Sequence, residues 1–140
     1  MRKYIIFVKT NKRMKVKHFN LNVGSQIFKA CSDESRIRIL YLLYRNREVC
    51  ISDLELVLNF TQTKISRHLG YLRSCGLVTF RKIDQWAFYC IKDELTEFAD
   101  LVFRYFGKDP ELTKDLENYN TLFSNRELAA NRVLGNQAKR

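Results

Sequence analysis

The chain has 140 residues, 46% of them hydrophobic, which is one domain's worth of sequence able to bury a modest core. Its formal net charge of +10 and pI near 9.6 call for a polyanionic partner or an acidic surface. Four scattered cysteines with no CxxC pair exclude a disulfide scaffold and fit a reducing cytoplasm, and the apolar run at residues 4–8 is far short of the roughly 20 residues of a spanning helix, so neither membrane attachment nor export is expected.

Residues 1–17 carry Arg2, Lys3, Lys9, Lys12, Arg13, Lys15 and Lys17 with little helical periodicity. They read as a basic arm, either lying on phosphates or doing nothing specific, and Met14 offers a second possible start. Val23, Ile27, Phe28 and Ala30 predict a helix over 21–31, and Ser32-Asp33 supply the cap of the next, with Ser32 and Ser35 as a weak capping box. That next helix, 34–44, has Ile37, Leu40, Tyr41 and Tyr44 on one face and Ile39 and Leu43 on another, so it is expected at the centre of the core. A polar loop at 45–47 leads to a short edge strand at 48–50.

Ile51, Leu54, Val57 and Leu58 predict a short helix opened by Ser52 and Asp53, with a turn at Asn59-Phe60. The stretch 61–76, TQTKISRHLGYLRSCG, is a helix with Ile65, Leu69 and Leu72 as its buried seam. Thr63, Arg67 and Gly70 lie opposite that seam, flanked by Lys64 and Ser66. Thr61 caps the start, and Gly76 can take the left-handed conformation that ends it. Two helices so joined make a helix-turn-helix pattern. LVTFRKI at 77–83 and WAFYCI at 86–91, linked by Asp84-Gln85, read as a β-hairpin, or wing.

These residues carry a family resemblance. The segment 48–91 resembles the winged helix-turn-helix core of the arsenic-repressor (ArsR/SmtB) family of bacterial transcription repressors, and FKACSDESRIRILYLL resembles the helix pair before that core. The most specific part is KISRHL with its spacing to Gly76-Leu77-Val78 and the wing. The expected fold is therefore mainly α with a small β-hairpin wing, organised as a basic arm (1–17), a winged helix-turn-helix domain with dimerisation helices (18–108) and a C-terminal helical extension (109–140).

In the region 93–106 Leu95, Phe98, Ala99, Val102 and Phe106 form one apolar stripe, and Leu101, Phe103 and Tyr105 a second. One small domain does not need both, so the surplus fits either a homodimer interface, which the resemblance implies is built with the first helix, or a helix central to the monomer's own core. Gly107 and Pro110 break the helix. Residues 111–123 resume helical spacing, and 124–140 are expected to be helix and then disorder.

For DNA, Arg67 has the planar fork that reads guanine, Thr63 and Ser66 can meet bases or phosphates, and Gln62, Lys64 and Arg73 share the helix. His68 is either a phosphate contact, as the resemblance implies for its SRHL motif, or a packing residue. Arg81 and Lys82 on the wing either reach the neighbouring groove or backbone, or form a solvated face. In EVCISDL the resemblance implies a metalloid site of two cysteines two residues apart. Here Cys50 stands in the first place and Ser52 in the second, and a hydroxyl is a poor ligand for a thiophilic ion. The thiols open to Cys50 as partners are Cys31 or a cysteine from the other subunit. The family's histidine site on the last dimer helix has no counterpart, since His18 and His68 are the only histidines. No cofactor is assigned. The absence of phosphate-cradling, HExxH or GxSxG motifs argues against catalysis. The expectation is a cytoplasmic, homodimeric repressor of an operator in double-stranded DNA, released by a ligand or thiol change. The rivals are a nonspecific nucleic-acid-binding module and a protein-interaction module.

Overall fold

The computed structural model describes residues 19–138, with side chains through Arg126. The basic arm, the Met14 question and His18 lie outside the described residues. Among the described residues six α-helices and three strands follow in order: α1 (Leu21–Ala30), α2 (Glu34–Asn46), β1 (Glu48–Cys50), α3 (Ile51–Leu58), α4 (Gln62–Ser74), β2 (Val78–Ile83), β3 (Trp86–Ile91), a 3-10 turn (Asp93–Leu95), α5 (Thr96–Phe106) and α6 (Pro110–Ala138).

Helix α2 is the centre. Ile39, Leu40, Tyr41, Leu42 and Leu43 are all buried, as two-faced burial of this helix predicts. Its cap is Asp33, whose carboxylate accepts from the Arg36 amide at 3.0 Å; Ser32 instead donates its hydroxyl to the Lys29 carbonyl at 2.7 Å, closing the end of α1. The expected Ser32–Ser35 box does not form, because a carboxylate one residue on takes the same amides.

The sheet is antiparallel in the order β1-β3-β2, with Glu48 opposite Cys90 and Ile83 opposite Trp86. Edge strand and wing thus pair as the sequence predicts. Asp84 turns the wing at φ 55°, so the two-residue link is made without glycine.

Two local expectations change. The short helix α3 starts at Ile51 with Cys50 at its cap position and no side-chain capping bond. Ser52 is occupied with Cys50, and Asp53 is buried and turned toward Arg126, whose Nη1 lies 2.5 Å from Asp53 Oδ1, an ion pair outside hydrogen-bond angles. The last segment is one helix of 29 residues, and its backbone remains helical to Ala138 where disorder was expected. Pro110, read only as a breaker, opens it at the one position where its missing amide costs nothing, while Asp109 accepts from the amides of Glu111 and Leu112 at 3.0 and 3.1 Å.

Helix α6 packs on α2 and α3. Leu112 enters the core, and Asp115, only 1% exposed, receives two bonds from the Arg38 guanidinium at 2.8 and 2.9 Å. Helix α5 is tied to α2 by Tyr44, which donates to Asp100 at 2.7 Å, and by Phe103, stacked on Tyr44 with ring centres 5.1 Å apart. Burial and that hydrogen bond push the Tyr44 phenol up to about 12. Phe103, assigned by periodicity to the surplus stripe, is buried in the monomer's core; Leu101 and Tyr105 remain exposed, as do Leu21 and Phe28 on α1.

Candidate nucleic-acid interface

Helix α4 is held at both ends by its own sequence. Thr61 Oγ1 accepts from the Lys64 amide at 3.2 Å. At the other end Gly76, at φ 85°, donates to the Arg73 carbonyl and Leu77 to the Leu72 carbonyl, at 3.1 and 3.0 Å, a Schellman motif closed by the buried pair Leu72 and Leu77. Between these caps Ile65, Leu69 and Leu72 are completely buried. Helical geometry then leaves Gln62, Thr63, Ser66, Arg67, Gly70 and Arg73 exposed. A methyl group at Gly70 would meet open space, so no contact within the described chain requires glycine there, and its bareness matters only to something approaching from outside.

The cations are positioned by aromatic faces. Lys64 Nζ sits 3.8 Å from the centre of the Phe60 ring in the turn, and the Arg73 guanidinium lies 4.4 Å from the centre of Phe80 on β2. Helix and wing are thereby joined along one cationic edge. Arg81 forms a two-pronged ion pair with Glu48, its Nε donating at 2.8 Å. That pair, exposed to solvent, holds Glu48 below the usual carboxylate range through the hydrogen bond from Arg81. Lys82 is exposed on the opposite side of the strand from Arg81.

Of the predicted DNA-facing residues, His68 stands apart. It is 6% exposed, on the seam side of α4, and burial lowers its imidazole from the ordinary value, opposed by Asp33 and assisted by Arg67, Arg36 and Lys64. A lowered histidine leaves stability complete above its unfolded value of about 6.5 and erodes it as pH falls through that point. The urea midpoint is therefore expected to drop between pH 7.5 and 5.5, and His68→Asn to flatten that drop. An unchanged slope in the variant assigns the drop to other groups.

The cysteines are spread over the domain. Cys50 is buried, its Sγ 3.2 Å from the Ser52 hydroxyl. Burial and the neighbouring Cys75 push the Cys31 thiol up to about 11, and burial also raises Cys75 and Cys90. Thiols so raised are protonated at neutral pH. Among the described residues no group of three or more His, Cys, Asp or Glu is placed to hold a metal ion.

Two features of the site escaped the sequence: the cradling of Lys64 and Arg73 by Phe60 and Phe80, and the Arg81–Glu48 pair across the sheet. The first left a faint signal, a cation four residues after Phe60. The second left none, because the strand register creates it.

Caps, seam, exposed face and hairpin together define a winged helix-turn-helix protein. The family model described as bacterial regulatory protein, arsR family, matches residues 33–79. The arsenical resistance operon repressor of Bacillus subtilis is 34% identical over 88 residues, 59% of this chain and 84% of that protein. The arsenic resistance transcriptional regulator ArsR2 of Pseudomonas putida is 44% identical over 73 residues, covering 52% of this chain. The chain belongs to the ArsR family. It spans between 61% and 64% of the length of the Pseudomonas putida and Escherichia coli relatives it matches. Among solved structures, HlyU from Vibrio cholerae superposes with a TM-score of 0.58 at 32% identity, covering 64% of this chain and 97% of HlyU. The homodimeric winged helix-turn-helix DNA-binding domain of Mb0332 from Mycobacterium bovis gives 0.57 at 26%, covering 61% and 79%. No described helix is long and apolar enough to cross a membrane.

Proposed function

We propose that the protein is a sequence-specific, DNA-binding transcriptional repressor that works as a homodimer in the cytoplasm, each subunit placing α4 in the major groove of a pseudo-palindromic operator. The observation that carries this reading is the exposed face of α4, where Gln62, Thr63, Ser66 and Arg67 surround the bare Gly70 while the opposite face is sealed in the core. Arg67 is the guanine reader, Thr63, Ser66 and Gln62 meet bases or phosphates, and Lys64, Arg73 and Lys82 neutralise backbone, whereas Arg81, expected to join them, is taken up by Glu48 and braces the wing. His68 acts by holding the helix in place. The reading assigns the chain no catalysis.

Relatives named as repressors of arsenical resistance operons support the repressor assignment. Leu21 and Phe28 on α1 and Leu101 and Tyr105 on α5 are apolar side chains that the monomer leaves exposed, and the homodimeric Mb0332 domain supports a two-fold assembly that would cover them. The test is fluorescence anisotropy of the protein on DNA from upstream of its own gene at physiological salt. A repressor favours its operator over scrambled duplex by about 10³ or more, whereas a nonspecific module shows almost no preference.

With an oxygen where the second thiol would stand, and the Cys50 sulfur already paired with it, this subunit lacks the two-thiolate site of a metalloid sensor. Cys50→Ser is expected to leave operator affinity within about threefold of the parent, and arsenite to leave the preformed complex intact, because hydroxyl for thiol at this position removes no ligand set. Release by arsenite that Cys50→Ser abolishes would establish an atypical thiol site.

A further inference from the structure

The wing ends in an apolar pair that the fold does not use. Ile83 and Trp86 face each other across the two-residue turn, yet they are 44% and 49% exposed. Strand β1 pairs with β3 only as far as Phe88, so the last two pairs, Lys82 with Ala87 and Ile83 with Trp86, project beyond the three-stranded part of the sheet. A cross-strand aromatic–aliphatic pair stabilises a hairpin, but it does so equally when covered. A tip left to solvent would ordinarily carry polar residues. Around the apolar tip, Lys82 precedes it on β2, Asp84 sits in the turn itself, Arg81 is taken up by its pair with Glu48, and Arg73 joins the wing to α4 through Phe80.

We propose that Ile83 and Trp86 form an apolar wedge that enters the minor groove beside the α4 contact, lying on sugars and partly parting a base step. This rests on the operator-binding reading above and adds to it a partner surface and a source of sequence choice. The chain's net charge of +10, with Lys82 beside the tip, selects a polyanion over a second copy of this basic chain. Within a nucleic acid, the minor groove is where apolar side chains are inserted between base steps. With an acidic residue, Asp84, in the turn itself, the tip gains nothing from phosphate and must rest on its apolar flanks. The wedge favours flexible pyrimidine–purine steps flanking the α4 half-site, positions no side chain of α4 reads.

Trp86 is the chain's one tryptophan, so its emission reports the tip directly. Native protein is titrated with labelled upstream duplex at matched salt, reading duplex anisotropy and tryptophan emission together. The wedge predicts that emission falls by about half as the complex forms and that acrylamide loses access to the indole, because a base or sugar then covers it. Trp86→Lys is expected to weaken operator binding about tenfold despite its added charge, while Trp86→Tyr, which keeps an aromatic plate, stays within about threefold. A complex whose tryptophan emission is unchanged, or tighter binding by Trp86→Lys, overturns the wedge and leaves the repressor reading standing. Emission that changes with protein concentration in the absence of DNA makes the tip an interface between copies, which also overturns it. Absence of any complex by anisotropy overturns the repressor reading and the wedge with it.

Discussion

Arg67→Ala is expected to weaken operator binding by between about 30-fold and 10⁴-fold, because a bidentate guanine contact discriminates by about 1–3 kcal/mol and a dimer loses two of them. The side chain is exposed, and no hydrogen bond or ion pair ties it to the rest of the described residues, so the fold should not register the change. The loss should also be selective. Scrambled duplex measured at the same salt should lose far less, since phosphate attraction survives in the other cations. Lys64→Ala supplies the contrast: a similar fractional loss on both duplexes. If Arg67→Ala weakens both equally, Arg67 is a phosphate contact and specificity lies elsewhere on the face.

Arg38→Ala is expected to cost about 3 kcal/mol of folding stability, the low end of the range for breaking a buried ion pair, because the Arg38 side chain retains 23% exposure. The loss comes mainly from what is left behind. Asp115 is 1% exposed and holds two guanidinium bonds from Arg38, which also reaches Glu111 at 3.1 Å and lies over the Phe60 ring in the helix-turn-helix turn. Removing the cation strands a carboxylate in the core between α2 and α6. A urea midpoint series checks it, with the double variant Arg38→Met and Asp115→Leu as the control. That variant should recover most of the stability, since an apolar pair of similar volume leaves no buried charge. If it is as unstable as Arg38→Ala, packing rather than the stranded charge explains the loss.

Much of this molecule is determined by short-range patterns. The α4 helix, its Thr61 cap, its Gly76 stop and its seam are set within sixteen residues, and the wing by two β-rich runs around a two-residue link, so both are legible in the sequence. The polar face of α4 followed from the seam by helical geometry alone. His68 was ambiguous for the same reason: it lies near the edge of the seam, and only the packing around α4 decides that it is buried.

Other features depend on residues far apart in the chain, where no local period carries information. Asp53 reads as a helix-opening acid until α6 brings Arg126 to it, 73 positions away by sequence number. Arg38 and Asp115 are 77 apart. Phe103 falls on the surplus stripe of α5 by periodicity, and the rings of Tyr41 and Tyr44 draw it inward. The sequence by itself determined the helix-turn-helix, the wing and the chemistry of the exposed face of α4, because capping, alternation and helical spacing act between near neighbours. Only the tertiary structure decided what α6 covers, which cations are held by aromatic rings, and that the wing ends in an uncovered apolar pair, because burial is a property of the assembled surface.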